Sequence, residues 1–145
     1  MLIFKWCAFS ELTVEILYQV LQLRSEVFVL EQACIYQDVD GKDAAALHLL
    51  GFEGNELLAY CRLFPAVADQ PLVFGRVVTA TTARKKGYGK KLLTELFRYC
   101  AAHYPEQPIT CSAQAHLVHF YEAFGLKARG SEYLEDGIPH VAMST

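Results

Sequence analysis

Residues 77–91 read Val77-Val78-Thr79-Ala80-Thr81-Thr82-Ala83-Arg84-Lys85-Lys86-Gly87-Tyr88-Gly89-Lys90-Lys91, in the order strand, loop, helix start. The valines that open the stretch suit a buried strand. Gly87 and Gly89 allow tight backbone geometry and close approach of a ligand. Beyond them Leu92, Leu93, Leu96, Phe97 and Cys100 form a helical apolar stripe, with Lys90, Lys91, Glu95 and Arg98 off it. The first N–H groups of a helix have no partner within it, and with the helix dipole they favour an anion. Of the chain's 13 Lys and Arg residues, five lie between positions 84 and 91: Arg84, Lys85, Lys86, Lys90 and Lys91. In a protein of formal net charge −3, this local reversal of sign points to a compact polyanion such as a pyrophosphate. A Walker loop does not fit, because Gly89-Lys90-Lys91 lacks the hydroxyl that would hold magnesium. A dinucleotide G-x-G-x-x-G does not fit either, because Leu92 stands at its third glycine. A solvated basic helix start with a glycine turn is the plainer alternative.

Outward from this stretch the order of elements is mixed α/β. Residues 3–9 are a short apolar run, read as a strand. Ser10 can cap a helix in which Leu12, Ile16, Leu17, Val20, Leu21, Val27 and Phe28 recur near helical spacing. The helical pattern fades between residues 30 and 34, and residues 36–43 are polar and turn-rich, read as a loop. Strands follow at 47–52 and 57–64, joined by a Glu53-Gly54-Asn55-Glu56 turn, and at 72–79. After the basic helix, which Pro105 and Pro108 end, come a strand at 109–112 and a helix at about 115–124 that stops at Gly125. Two last strands, 127–131 and 138–143, are read as joined by a Glu135-Asp136-Gly137 turn.

The chain has 145 residues, 53% of them hydrophobic and 20% charged. That is material for one domain spanning 1–145 with one core, not a disordered chain. Its charge balance argues against nucleic acid as a partner, since phosphate-backbone binding needs many cations on one face. No stretch approaches the roughly 18–20 apolar residues of a membrane span. The start, Met1-Leu2-Ile3-Phe4-Lys5-Trp6, lacks the features of a secretory signal. A cytoplasmic protein without a membrane partner is expected. Cys7, Cys34, Cys61, Cys100 and Cys111 are odd in number and widely spaced, which predicts buried, reduced thiols and neither a disulfide framework nor a zinc site.

The segment Arg84-Lys85-Lys86-Gly87-Tyr88-Gly89 resembles the R/Q-x-x-G-x-G/A signature of the GNAT superfamily, the acyl-CoA-dependent N-acyltransferases. A second segment, residues 114–126, resembles that family's N-x-x-A-x-x-F-Y-x-x-x-G-F. There Phe120, Tyr121 and Gly125 match, Gln114 replaces the usual Asn, Leu117 a small residue and Leu126 the final Phe. Leu23-Arg24, Val27-Phe28-Val29, Glu31-Gln32, residues 36–40, Gly75-Arg76-Val77, residues 113–116 and residues 135–140 are similar to the ElaA-like branch. The resemblance implies a mixed, mostly antiparallel sheet flanked by helices and splayed where CoA inserts. It implies that Val77, Val78 and Thr79 meet the pantetheine arm and the thioester. It assigns the CoA pyrophosphate to Arg84, Lys85, Lys86, Gly87, Tyr88, Gly89 and Lys90, and a CoA-bonding amide to Gln114. It also implies that Tyr121 protonates the departing thiolate; a core tyrosine is the alternative.

The function so implied is direct transfer of acetyl from acetyl-CoA to a primary amine of a small molecule or peptide, without a metal. A homodimer stays open. So do a non-catalytic CoA-binding sensor or interaction module on the same fold, and an ATP-binding protein using the basic loop. His116 and His119 lack zincin spacing, and Asp38-x-Asp40-Gly41-x-Asp43 lacks the EF-hand glycine and glutamate. That acidic loop is read either as a solvated turn or as an attractor of a cationic amine. Glu31, Asp38, His48 and His140 are the candidate bases.

Overall fold

The computed structural model describes all 145 residues. Its strands are β1 (Ile3–Ala8), β2 (Leu47–Glu53), β3 (Glu56–Phe64), β4 (Leu72–Thr79), β5 (Ile109–Gln114), β6 (Lys127–Ala128), β7 (Tyr133–Glu135) and β8 (Ile138–Ser144). They form one sheet in the order β1-β2-β3-β4-β5-β8-β6, with β7 also paired to β8. Every pairing is antiparallel except that of β4 with β5, which the helix α2 (Tyr88–His103) connects.

The sheet is covered on both faces. Side chains alternate along a strand, so neighbouring residues enter opposite layers. Leu49 and Leu50 illustrate this: both are fully buried, Leu49 in the layer under α2 and Leu50 in the layer under α1 (Val14–Arg24). Leu92, Leu93, Leu96 and Cys100 of α2 pack on Leu58, Leu63, Leu72 and Phe74. Val20, Leu23 and Val27 pack on Cys7, Leu57, Tyr60 and Val78. All five cysteines are free and buried. No helix is long and apolar enough to cross a membrane.

Several expectations need correction. Thr13, not Ser10, caps α1, its hydroxyl accepting from the Ile16 N–H at 3.1 Å; Ser10 lies in a short 3₁₀ turn, Phe9–Glu11. The helix ends within residues 30–34, where its pattern fades, but its last turns widen into a π-helical segment, Ser25–Glu31. Residues 115–124 start as a 3₁₀ turn and hold only a short helix, α3 (Val118–Glu122). The last hairpin joins β7 to β8: Glu135 pairs with Ile138 across Asp136 and Gly137, both at positive φ. Of residues 127–131 only Lys127 and Ala128 pair, and they do so with the far end of β8.

The acidic loop departs furthest from its reading as a solvated turn. Asp38 and Asp43 are buried. Arg24, wholly buried at the end of α1, donates to Asp38 at 2.9 Å and to Asp43 at 2.7 Å. Arg62 of β3 holds Asp40 at 2.6 and 2.9 Å and Asp43 at 2.9 Å. Arg76 of β4 donates to Asp38 at 2.8 Å. The three carboxylates are therefore consumed by three arginines and are not left to attract an amine. Hydrogen bonds from Arg62 hold Asp40 well below the usual carboxylate range. For Asp43 burial opposes ionisation, but Arg24 and Arg62 together outweigh it and lower its pKa.

Candidate active site

β4 and β5 pair at only two positions, Leu72 with Ile109 and Val73 with Thr110. Beyond them the strands part, and the edge of β4 that faces β5 has no ladder partner. Its backbone groups are open to a ligand. β4 also carries a bulge at this level. Tyr60 pairs with Val78 and Arg62 with Gly75, so Arg76 and Val77 together oppose Cys61. A bulge bends its strand and re-aims the residues after it. Arg76 adopts φ +52° there, a left-handed conformation that costs a non-glycine residue about 1–3 kcal/mol. Its bonds to the Asp38 carboxylate and to the Asp38 carbonyl, at 2.8 and 3.0 Å, hold it in place. The acidic loop thus serves the site indirectly, as the anchor of the bulge.

The parting opens a cleft of about 340 Å³ lined by 21 residues, among them Val77, Gln114, Leu117, Tyr121 and His140. Tyr121 reaches it from the α2 side of the sheet, its ring packed against Phe74 and Phe120 at centroid distances of 6.0 and 5.3 Å. Burial raises its phenol well above the ordinary tyrosine range, so it stays protonated at neutral pH. Arg62 Nε is the only buried side-chain polar atom without a partner. The Tyr121 hydroxyl, which no protein group bonds, therefore opens on the cleft. Gln114 exchanges amide hydrogen bonds of 3.3 Å with Gln32, which the π-helical segment carries across the gap. Cys111 also lines the cleft, but burial pushes its thiol up to about 12, so it is not a nucleophile at neutral pH.

At the start of α2, Gly87 takes φ +76°, a left-handed turn for which glycine is suited. The first helical bond there is from the Lys91 N–H to the Gly87 carbonyl, 3.1 Å. The N–H groups of Tyr88, Gly89 and Lys90 precede it and point outward. A β-carbon on Gly89 would lie 3.6 Å from the Phe120 ring and 3.8 Å from Thr79. The two sequence motifs therefore meet at this point. Lys85, at φ +67°, and Lys86 flank the turn. Two predicted phosphate ligands are otherwise engaged in the structure. Arg84 forms a two-pronged pair with Glu31, 2.7 and 2.6 Å, tying the loop to the π-helical segment. The Tyr88 hydroxyl donates to Glu53, and the ammonium groups of Lys86 and Lys91 lie 5.8 and 5.6 Å from its ring centroid. Only its backbone faces the anion site.

Three of the four candidate bases are committed elsewhere. Asp38 is bonded by Arg24, Arg76 and the Tyr36 hydroxyl. Glu31 is paired with Arg84, whose hydrogen bonds lower its pKa. His48 is sealed in the core, its ring nitrogens 2.6 Å from the Tyr60 hydroxyl and 2.9 Å from the Asp43 carbonyl, and burial lowers its pKa. His140 lines the cleft. Sequence reading placed Arg76, Gln32 and Glu135 in segments similar to the ElaA-like branch but gave none of them a role at the site.

A family model described as an acetyltransferase (GNAT) domain matches residues 15–145. The protein ElaA of Escherichia coli K12 is 44% identical over 138 residues, covering 93% of this chain and 90% of ElaA. The crystal structure of an acyl-CoA N-acyltransferase from Pseudomonas aeruginosa superposes with a TM-score of 0.93 at 40% identity, covering 99% of both chains. An aminoglycoside 6'-N-acetyltransferase complexed with coenzyme A shares the fold, with a TM-score of 0.73 at 15% identity over 99% of this chain and 96% of that one.

Proposed function

Because the chain belongs to the GNAT acetyltransferase family, in its ElaA-like branch, we propose that it transfers the acetyl group of acetyl-CoA to a primary amine by direct attack. The observation that carries this reading is the convergence of the open β4 edge and the Tyr121 hydroxyl on one cleft. The free N–H groups of α2 add an anion site beside Phe120 of the same motif.

The residues fit the donor. The N–H groups of Tyr88, Gly89 and Lys90, with Lys85 and Lys86, hold the pyrophosphate. Arg84 keeps the loop in register through Glu31. Val77, Val78 and Thr79 offer the unpaired side of β4 to the pantetheine arm, as an added strand would use it. An N–H of the Val78–Thr79 region steadies the oxyanion that forms when the amine attacks the thioester carbonyl. The C–S bond then breaks and Tyr121 gives its proton to the sulfur. The direct test is an acceptor screen with acetyl-CoA, reading free CoA and product mass. A chain that binds acetyl-CoA and acetylates no amine is a CoA-binding module instead.

Two predictions concern the donor site. Gly89→Val places methyl groups where the backbone meets phosphate, and acetyl-CoA affinity measured by calorimetry is expected to fall about tenfold or more, ~1.4 kcal/mol. Gly89→Ala, whose β-carbon meets its neighbours only at ordinary contact distances, controls for folding. The double variant Lys85→Asn, Lys86→Gln is expected to bind several-fold more weakly at low salt. Asn is chosen at 85 because it tolerates positive φ. In about 1 M salt, where the Debye length is ~3 Å, its affinity converges on that of the parent. Unchanged affinity in these variants removes the pyrophosphate assignment.

A further inference from the structure

We propose that His140, oriented by Glu135, is the base that takes the proton of the acceptor, and that the acceptor is an alkylamine arriving as a cation. This rests on the transferase reading above and assigns the half of the reaction that Tyr121 does not perform.

The tautomer of His140 follows from its contacts. Nδ1 lies 2.7 Å from the Ile138 carbonyl oxygen, which can only accept. Nδ1 therefore carries the hydrogen, and the neutral ring presents the lone pair of Nε2. Nε2 faces Glu135 Oε2 at 3.5 Å. Two acceptors do not bond, so this pair closes only when a proton reaches Nε2. The carboxylate is itself positioned: its other oxygen accepts from the Ser112 hydroxyl at 3.2 Å, and Ser112 is bonded to the Tyr133 hydroxyl. The Tyr133 ring stacks on the imidazole, centroids 6.3 Å apart. The carbonyl is local, two residues back on β8, but the carboxylate and the ring come from β7 and the supporting hydroxyl from β5, so three strands build the setting of this proton acceptor.

Its placement suits the chemistry. Ser112 and Gln114 of β5 pair with Ala142 and His140 of β8. By strand alternation these residues lie on the sheet face opposite Cys111, Ala113 and Met143, the layer that packs with Tyr121. Base and acid thus approach the cleft from opposite faces of the sheet. The charged and titratable groups beside His140 are Glu135 and Tyr133 of β7 and Asp136 of the turn; β5 contributes only neutral side chains. On the opposite wall Arg62 and Arg76 are matched by Asp38, Asp40 and Asp43, and Lys42 is the remaining cation.

An alkylamine with a pKa near that of lysine, about 10.4, holds only about one part in 2,500 as free base at pH 7. Its ammonium is drawn by Glu135 and Asp136 and has no lone pair until a base removes a proton. His140 takes that proton and passes it to solvent. The nitrogen attacks the carbonyl carbon, the C–S bond breaks, and sulfur takes the Tyr121 proton. The second proton lost by nitrogen restores the phenol. The products are the N-alkylacetamide, CoA thiol and one released proton.

The test uses the full chain with acetyl-CoA and a panel of spermidine, glycinamide and a lysine peptide between pH 6 and 9. For the parent, kcat/KM is expected to rise with pH through one deprotonation and then level. His140→Gln is expected to lose tenfold or more at pH 7, to keep acetyl-CoA affinity, and to rise without levelling as free amine accumulates. Glu135→Gln is expected to move the levelling to lower pH, because an imidazolium without its carboxylate loses its proton more easily. NMR titration of the His140 ring reports the same downward shift without any turnover. A His140→Gln protein with the parent's rate and pH profile, or a His140 titration indifferent to Glu135→Gln, overturns the dyad and leaves the transferase reading standing. A parent that binds acetyl-CoA and acetylates no member of the panel counts against both.

Discussion

Replacing Tyr121 with Phe is expected to lower kcat about 10²-fold or more, the range typical of a general acid, while the folded chain and its acetyl-CoA affinity change little. The ring packs on Phe74 and Phe120 and keeps those contacts in the variant. The hydroxyl has no partner to leave stranded, so the usual penalty for breaking a buried hydrogen bond does not arise. The measurement is steady-state turnover with whichever amine the screen identifies, accompanied by thermal melting and calorimetry. A variant that turns over at the parent rate ends the general-acid proposal, provided single-turnover kinetics show that product release does not hide a slower chemical step.

Arg24→Met is expected to cost about 3 kcal/mol of stability, toward the low end of the 3–5 kcal/mol typical when one member of a buried ion pair is removed. Met keeps much of the apolar stem, but Asp38 and Asp43 lose donors at 2.9 and 2.7 Å. The loss is moderated because Arg76 and Arg62 still hold these carboxylates. Urea denaturation reads it as a lower midpoint at unchanged slope. The network also sets the response to acid. Asp40 and Asp43 ionise below their unfolded range near 3.9. The stability they contribute is complete above that range and drains away as pH falls through the depressed values. In Arg24→Met the Asp43 pKa returns toward its ordinary value, so the acid limb is expected to be shallower than in the parent. A variant as stable as the parent at pH 7, with the same acid limb, removes the network from the fold's supports.

Both predictions depend on residues that the linear chain displays unequally. The basic loop was legible because its physics is local, whereas the Phe120-Tyr121 segment was read by its resemblance to a family motif. A valine-rich strand, a glycine turn and an unpaired helix start lie within fifteen consecutive residues, and the amphipathic stripe of α2 announces its buried face by spacing alone. The hairpin between β2 and β3 was legible for the same reason. Helix ends were less so: Ser10 and Thr13 are both competent caps, and only the path of the chain out of β1 decides between them.

The order of strands and helices through β5, and the glycine turn that opens the basic helix α2, were determined by the sequence itself, since each depends on residues close together in the chain. The tertiary structure decided which charged groups are spent and which remain for chemistry. Asp38, Asp40 and Asp43 look like a solvated acidic turn until Arg24, Arg62 and Arg76 arrive from α1, β3 and β4. His140 looks like a lone histidine until the hairpin turns Glu135 onto it and β5 brings Ser112 beneath. The physical reason is that burial and ion pairing depend on partners tens of residues away. A carboxylate's or imidazole's role is set by what the packed sheet places within a few ångströms of it, and no local pattern carries that information.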